Sequence, residues 1–470
     1  PLDGGAGALF FRFGSKPISD LSVTVRRCVF DRHLAGGAVE NSLMTLSAAA
    51  VAIAFGAPHT VLNRTRVAIE DCTFSRGSSV AKPGERQNGN AVISGAVGVL
   101  TDSNMYDTQL SFARNRFVDC GSGIVRNRRS ATAAHSGAIA VHQRDWTFTL
   151  ETVLRGFDMR VVDCSFTRTQ FGGGDELFYA ASAMSSSISV LFTGSQVSRM
   201  AFAVERCTFT ASRIFGTRVS LGGGTRGVIV LLARSCTLLT AHALTFRDLV
   251  FSGTDVADLR GQLGSQALFL QWLASDVESP RIAIERCSFV DGRGGLTSVL
   301  INYESAGVWT DADFSARDLT FARNTYAFIG TDSTSGFRLL GPIVWSMSVN
   351  PENHLRGRYV FENSMFDANA INVIASPSGT PQQLSASLGV VASIYAADSG
   401  VAQRPSTVAW EFRNCSFTRG RVESPAHYSL VGGVALQYKS ELRDRDALFA
   451  HSHLFSGCRF VENIVAKCVH

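Results

Sequence analysis

The chain has 470 residues, and 45% of them are hydrophobic, so it can bury a large core. Only 18% are charged, whereas Gly (43) and Phe (32) are abundant, which argues against a helix-rich protein and favours an all-β one. The net charge of +5 is spread along the chain without a long basic run, so we expect no nucleic-acid partner.

The most apolar stretch, 43–62, reads LMTLSAAAVAIAFGAPHTVL and is long enough to suggest a membrane span. The repeat described next accounts for it as a pair of interior strands, so we expect no direct membrane span in this segment. The sequence shows neither an initiator Met nor a secretory signal. We therefore expect a segment of a longer precursor.

One pattern recurs along the whole chain: two apolar residues at alternate positions, two polar residues, then Cys or Asn, any residue, and Phe. In chain order the copies read VTVRRCVF, VAIEDCTF, LSFARNRF, MRVVDCSF, FAVERCTF, LTFRDLVF, IAIERCSF, LTFARNTY, YVFENSMF, WEFRNCSF and HLFSGCRF. The Cys or Asn position, which we call the key position, is filled by Cys28, Cys72, Asn115, Cys164, Cys207, Leu249, Cys287, Asn324, Ser364, Cys415 and Cys458.

Key positions recur every 37 to 51 residues. This variation is typical of a solenoid, in which strands keep their register while loops lengthen at little cost. The pattern therefore predicts one all-β domain over residues 1–470, a right-handed parallel β-helix solenoid of about eleven coils. Within each copy we expect the alternate apolar residues, the key residue and the following aromatic to point inward.

The residue before the key position alternates in charge through the first seven copies. It reads Arg27, Asp71, Arg114, Asp163, Arg206, Asp248 and Arg286. Because stacked strands lie about 4.8 Å apart, we expect an external ion ladder in which each Arg pairs with an Asp above and below. Exposed pairs contribute under about 1 kcal/mol each, so this ladder would set register more than stability.

Seven of the ten cysteines occupy key positions, where Asn, Ser and Leu substitute, which favours a packing role over chemistry. The neighbours Cys28 with Cys72, Cys164 with Cys207, and Cys415 with Cys458 also have a separation compatible with disulfides. Three cysteines lie outside the column and are the better candidates for reactive or paired thiols: Cys120, Cys236 and Cys468. No zinc-binding Cys spacing occurs.

Two sequons, at Asn63 and Asn414, are candidate N-glycosylation sites, and Asn63 is the better one because the second sequon lies at a corner. Acidic pairs that would suit carbohydrate chemistry are Asp175 with Glu176, Asp311 with Asp313, and Asp444 with Asp446. His451 and His453 form an HxH near the end of the sequence. Solvated carboxylates are far commoner than catalytic ones, so we predict no catalytic residue, metal site or cofactor.

The architecture resembles the pectin-lyase-like β-helix superfamily. The repeat is similar to the FxxN and GGAI repeats of chlamydial polymorphic outer-membrane proteins, through Phe112 to Asn115, Phe321 to Asn324, and Gly137-Ala138-Ile139. It also resembles the dispersed-gene-family surface proteins of kinetoplastids, in which Cys commonly takes the Asn position. These resemblances imply surface display and adhesion. The polygalacturonase signatures NTD, DD, GHG and RIK are absent, so no enzymatic residue carries over.

We therefore expect an extracellular or cell-surface structural or adhesive scaffold that presents loops to glycans or surface proteins, with end-to-end self-assembly as a further expectation. The alternative is a polysaccharide lyase or glycoside hydrolase of the pectin-lyase-like superfamily. It requires carboxylates and Arg on neighbouring coils of one face. A third reading, a repeat unit of a cell-surface appendage or flagellum, is not separated from an adhesin by the sequence.

Overall fold

The computed structural model describes residues 2–14, 16–39, 44–55, 60–83, 90–124, 132–144, 152–173, 176–177, 181–215, 218–219, 224–240, 242–257, 264–273, 275, 277–304, 309–329, 338–349, 356–374, 384–396, 406–424, 429–440 and 449–467. All regular elements in these ranges are β-strands. Strands of successive coils pair in parallel, so that each sheet grows by one strand per coil along most of its length. The prediction of an all-β parallel β-helix solenoid is thereby confirmed.

The first eight coils pass through five sheets in the same order, which we number from the start of a coil, and in the last three coils the described residues have no strand in the second sheet. Sheet 1 has 17 strands and a bend that divides most coils into two segments. Its strands are Leu2–Ala6, Leu9–Phe13, Met44–Ala48, Val51–Phe55, Asn90–Ser94, Val97–Thr101, Thr132–Ser136, Ile139–Arg144, Ala181–Thr193, Gly224–Arg234, Ser265–Leu273, Thr297–Glu304, Arg338–Val349, Leu384–Ser387, Val390–Ala396, Ser429–Val431 and Val434–Ser440.

The next two sheets follow in chain order. Sheet 2 has eight strands: Ile18–Ser19, Val61–Asn63, Asn104–Tyr106, Thr152–Arg155, Ser195–Ser198, Thr237–Thr240, Val277–Glu278 and Trp309–Thr310. Sheet 3 has eleven: Ser22–Arg26, Arg66–Glu70, Gln109–Ala113, Asp158–Val162, Ala201–Glu205, Ala243–Arg247, Arg281–Glu285, Ala312–Arg317, Arg356–Glu362, Ser406–Arg413 and Phe449–Ser456.

Two further sheets of eleven strands complete the coil. Sheet 4 consists of Val29–Asp31, Thr73–Ser75, Arg116–Val118, Ser165–Thr167, Thr208–Thr210, Val250–Ser252, Ser288–Val290, Thr320–Ala322, Met365–Asp367, Ser416–Thr418 and Arg459–Val461. Sheet 5 consists of Leu34–Val39, Ser78–Pro83, Gly121–Ile124, Gln170–Gly173, Arg213–Phe215, Asp255–Val256, Arg293–Gly294, Thr325–Ile329, Ala370–Ile374, Arg421–Ser424 and Ile464–Lys467. A small separate sheet pairs Glu176–Leu177 with Arg218–Val219.

Two corners have the same length in all eleven coils. Two residues join sheet 3 to sheet 4 at the first corner, and two residues join sheet 4 to sheet 5 at the second corner. The first residue of each corner has a positive φ near 55°, as in Arg27 and Arg32 of the first coil. The left-handed residue interrupts the regular inward–outward alternation of side chains along the strand. The second corner residue therefore points inward, as the core-facing residues of the two flanking strands do.

The eighth coil corrects one predicted key position. Phe321 pairs with Phe289 of the preceding coil and Phe366 of the next, so it belongs to sheet 4 and its key residue is Leu319. Asn324, which we predicted as the key residue, lies five positions later at the second corner. The Asn-x-Tyr sequence that begins at this residue resembles the Cys-x-Phe pattern of the first corner. Only the pairing register between coils shows that it lies at the second corner.

Aromatic rings form the spine of the interior. Phe rings of sheet 4 stack in every coil, with centroids 4.5 Å apart between Phe289 and Phe321 and 4.7 Å apart between Phe166 and Phe209. The apolar residues of sheets 1, 2 and 3 pack around this column in one continuous core. Each buried ring contributes roughly 1.5–3 kcal/mol by area, and offset stacking adds to it.

Sheet 1 is buried on both faces along much of its length. In the strand Val51–Phe55, Val51, Ile53 and Phe55 belong to the main core, while Ala52 and Ala54 belong to a second core. This explains the nearly unbroken apolar run at 43–62, since a strand with two buried faces does not alternate. No helix that could cross a membrane occurs among the described residues.

Replacing a left-handed alanine by glycine tests the corner geometry. Ala368 has a φ of 51° at the second corner, and glycine adopts that conformation without a Cβ clash. We expect Ala368→Gly to raise the free energy of unfolding by about 1 kcal/mol in denaturant titrations. Ala203→Gly, in the extended strand Ala201–Glu205, is the matched control and should lower it by about 0.5–1 kcal/mol.

Candidate functional site

The key residues form one buried column at the first corner. Nine of them are at most 2% exposed: Cys72, Asn115, Cys164, Cys207, Leu249, Cys287, Leu319, Ser364 and Cys415. Cys28 and Cys458, in the first and last described coils, are half-buried because a described coil covers them on one side only. The residue before each key residue has a positive φ, and each of them except Gly457 has a side chain that points outward.

Asn115 shows what the key residue does. Its Nδ2 donates a hydrogen bond to the carbonyl of Ile69 in the preceding coil (2.7 Å), and its Oδ1 accepts one from the backbone N–H of Cys72 (3.0 Å). The corner interrupts the strand ladder, and a buried backbone group left unpaired costs about 1–3 kcal/mol. The key side chain therefore replaces the missing backbone partner between coils.

Cysteine makes the same contacts with its thiol. The single S–H of Cys164 is shared between the carbonyls of Phe112 (3.5 Å) and Val162 (3.3 Å), and its sulfur accepts the N–H of Asn115 (3.4 Å). Cys, Asn and Ser interchange because each combines a donor with an acceptor. The sequence favoured packing as the role of the key position. Packing alone explains only Leu249 and Leu319, which have no polar side-chain group.

A second column runs along the second corner, five residues after each key position, and glycine interrupts it at Gly77, Gly292 and Gly420. Asn324 donates through Nδ2 to the carbonyl of Phe289 (2.8 Å) and accepts the N–H of Gly292 (2.9 Å). Asn369 and Asn463 make the equivalent bonds, each with the coil before its own. Sequence reasoning missed this column, although its constant offset of five residues was a signal that could have revealed it.

A third ladder explains the Ser-Gly-Ala sequences at the bend of sheet 1. Ser136 donates through Oγ to the carbonyl of Ser187 in the next coil (2.7 Å) and accepts the N–H of Ala138 (3.1 Å). The intervening Gly137 needs to be glycine, because a Cβ there would lie 2.1 Å from the carbonyl oxygen of Ser186. Ser94 and Ser265 make equivalent bonds.

The outward charges at the corners form separate pairs, which corrects the predicted continuous ladder. Arg114 binds Asp71 through two hydrogen bonds of 2.6 and 3.0 Å. Five other pairs of left-handed corner residues have the same form: Asp20 with Arg64, Asp119 with Arg168, Asp163 with Arg206, Asp248 with Arg286, and Asp291 with Arg323. In all six, the acid lies on the earlier coil and the Arg on the next, which we call the dyad polarity.

Among the described left-handed corner residues, the reverse arrangement gives no such two-bond pair, although strand residues of sheet 3 form one between Arg358 and Glu411 of the next coil. Arg27 precedes Asp71 by one coil and contributes only longer-range attraction to the lowered pKa of Asp71, which arises mainly from its hydrogen bonds with Arg114. The column also extends beyond the predicted seven residues, because Asp318 follows Arg286. Asn363 then donates to Asp318 (3.2 Å), and Asn414 donates to Asn363 (3.3 Å).

No disulfide joins the described cysteines, most of which are buried. Burial raises the pKa of Cys120 to about 11 and that of Cys287 to about 12, so both are protonated and unreactive at neutral pH. The expectation that Cys120 and Cys236 would be reactive is therefore wrong, since both are buried caps of backbone carbonyls. Cys468 lies outside the described residues.

The two sequon asparagines differ in exposure. Asn414 is exposed at the first corner, whereas Asn63 is half-buried within sheet 2. Access in the folded state therefore favours Asn414, in contrast with the preference drawn from the sequence.

The candidate catalytic carboxylates do not form a groove in the described structure. Asp311 is exposed and pairs with Arg356 at 3.2 Å, and Asp313 is exposed on sheet 3. Asp175, Asp444 and Asp446, and the side chain of Glu176, lie outside the described residues. The described part of the chain contains no group of three or more His, Cys, Asp or Glu side chains arranged to hold a metal ion.

His451 and His453 occupy inward positions of the last coil, in register with Val408 and Trp410. The hydroxyl of Tyr438 lies 2.9 Å from Nε2 of His453, and the ring of His451 stacks on Tyr438. Burial lowers the pKa of His451 to about 4. The HxH sequence thus contributes to end-coil packing.

Comparison with known proteins gives no further assignment. No protein-family model matches the chain, and neither a curated protein nor a solved structure matches it. The parallel β-helix class is therefore defined by the geometry alone.

Removing a buried corner amide tests the second column. Asn324→Leu leaves the Phe289 carbonyl and the Gly292 N–H without their partner, so we expect the free energy of unfolding to fall by about 2–4 kcal/mol. Asn372→Leu, at an exposed position of sheet 5, is the control and should stay within about 0.5 kcal/mol of the parent. Equal effects of both changes in chemical denaturation would contradict a capping role for Asn324.

The corner dyads predict a dependence of stability on acid. Hydrogen bonds from Arg206 lower the pKa of Asp163 below the ordinary value of an aspartate, so the folded state holds its proton less tightly than the unfolded state. The dyad's stabilisation is present above about pH 4 and is lost as the pH falls through the lowered pKa. In urea titrations from pH 5 to 2, Arg206→Gln should lose less stability than the parent chain, and an identical profile would exclude this contribution.

Proposed function

We propose that the chain is an extracellular or cell-surface scaffold, structural or adhesive, whose rigid wall presents connecting loops to glycans or surface proteins. The wall consists of sheets 3 and 4 with their two corners. The observation that carries the proposal is the constancy of this wall: both corners keep two residues in all eleven coils, and hydrogen-bonding side-chain columns run along them.

Among the connections between sheets, those on either side of sheet 1 differ most in length. Two residues connect sheet 5 to sheet 1 between Gly294 and Thr297, whereas nine do so between Ile374 and Leu384. Loops carried by a rigid frame are a common location of binding residues. The connections that differ in length are therefore the part of the solenoid that we expect to contact a ligand.

The outer surface of the wall suits a solvated support. Most of its charged corner residues are paired in Arg–Asp dyads. The outward positions of sheet 4 carry many short hydroxyl side chains, as in Thr208 and Thr210. Paired exposed charges make a poor attractor for a charged partner, because each Arg is already satisfied by a carboxylate. We therefore place glycan or protein contacts on the loop side.

The competing proposal, a polysaccharide lyase or glycoside hydrolase, is separated from the scaffold by a paired assay. The purified chain is screened on a broad glycan array and incubated with the same polysaccharides to detect new reducing ends or unsaturated products. We expect retention of particular glycans without turnover. Product formation at a rate above that of the heat-unfolded chain would overturn the scaffold proposal.

Two variants locate the contact. Shortening the segment 375–383 to two residues, the length of the corresponding connection at 295–296, should weaken retention of a glycan that this loop contacts by about tenfold or more. Thr208→Ala with Thr210→Ala alters the wall and should leave retention unchanged. Loss of retention with the wall variant alone would move the binding face to sheets 3 and 4.

A further inference from the structure

Asn414 occupies the first corner of the tenth coil, where the outward column changes its chemistry. The column carries charged residues as far as Asp318, and Asn363 and Asn414 follow in the next two coils. Asn414 has a φ of 52° and is exposed. With the two residues that follow it, Asn414 forms an Asn-x-Ser sequon, which is the acceptor sequence for N-linked glycans.

The amide of Asn414 is not held in an ion-paired dyad. Its Nδ2 donates to Oδ1 of Asn363 at 3.3 Å, and among the described residues no charged group binds it. At the same corner of the following coil lies Gly457, where a Cβ would approach Oδ1 of Asn414 to 2.3 Å. The amide thus lies over a residue without a side chain, in contrast with the paired carboxylate of Asp163.

The other sequon of the chain provides an internal comparison. Asn63 ends the strand Val61–Asn63 of sheet 2 and is half-buried. It lies in register with Ser19 of the preceding coil and Tyr106 of the following one, so it has a strand neighbour on both sides. A glycan is bulky and remains in solvent, which the exposed corner allows and the half-buried strand position opposes.

We propose that Asn414 is N-glycosylated and that its glycan projects from the wall at the first corner. In the transfer, Nδ2 of Asn414 forms a bond to the anomeric carbon of an oligosaccharide carried on a lipid diphosphate. The bond between that carbon and the diphosphate oxygen breaks, the lipid diphosphate leaves, and the amide releases one proton. The resulting secondary amide keeps one N–H, which suffices for the hydrogen bond to Asn363.

The modification deepens the proposed function and rests on its extracellular location, because sequons are modified in secreted proteins. The first corner joins sheet 3 to sheet 4 and carries none of the connections that flank sheet 1. A bulky, solubilising group there covers part of the wall and leaves the variable connections open to a ligand. The glycan is therefore placed on the face that we assign as the support.

The first experiment maps glycan occupancy on the full chain, secreted from a eukaryotic host behind an appended signal peptide. Peptide-N-glycosidase converts each glycosylated Asn to Asp, which peptide mass spectrometry locates. We expect a glycan on Asn414 in most chains and on Asn63 in few. Ser416→Ala, at a half-buried position of sheet 4, destroys the sequon while retaining Asn414, and should abolish the modification. An unmodified Asn414 in the secreted parent chain would overturn the proposal.

The second experiment tests whether the corner position itself accommodates the glycan. Asn363 occupies the same corner one coil earlier, and Met365, which is in register with Ser416, is 39% exposed. Met365→Thr completes a sequon at Asn363, so we expect a second glycan there. Occupancy of Asn63 equal to that of both corner residues would contradict the role of corner geometry. Binding of array glycans by the unglycosylated Ser416→Ala chain would leave the proposed scaffold function standing in either case.

Discussion

The two-residue corners are the constraint on which the rest of this solenoid depends. Each corner has to turn the chain between two strands and return it to the same register as the coil below. A left-handed residue performs the turn at a conformational cost of about 1 kcal/mol or more, and the inward residue that follows interrupts the backbone ladder. Side chains with a donor and an acceptor repair that interruption, which explains why Cys, Asn and Ser alternate there.

The same corner geometry gives the Arg–Asp pairs a fixed direction along the solenoid axis. Left-handed corner residues project outward at a spacing that lets an Arg form a hydrogen-bonded ion pair with a carboxylate of the preceding coil. The six dyads all have this polarity. Exposed pairs contribute little stability individually. Their shared polarity nevertheless makes the two faces of a coil electrostatically different, which a stack of apolar residues does not do.

The solenoid thus separates a constant side from a variable side. Sheet 4 and its two corners keep one length in all eleven coils, because their backbone groups pair in register with those of the neighbouring coils. The connections flanking sheet 1 lie outside that register and absorb insertions of several residues, since loop length costs little. A scaffold that varies its contacts while keeping its frame needs this separation, and it is the physical basis of the function proposed for this chain.

The sequence by itself determined the fold class, the repeat and ten of the eleven key positions, because inward residues recur with fixed local spacing around each corner. It did not resolve the eighth coil, where Asn324 and Tyr326 imitate the pattern of Leu319 and Phe321, since local spacing is the same at both corners. It also gave charge alternation without the dyad polarity, and cysteines without their capping role. Those features depend on which atoms of neighbouring coils meet, and only the stacked tertiary structure brings residues some 30 to 50 positions apart within hydrogen-bonding distance.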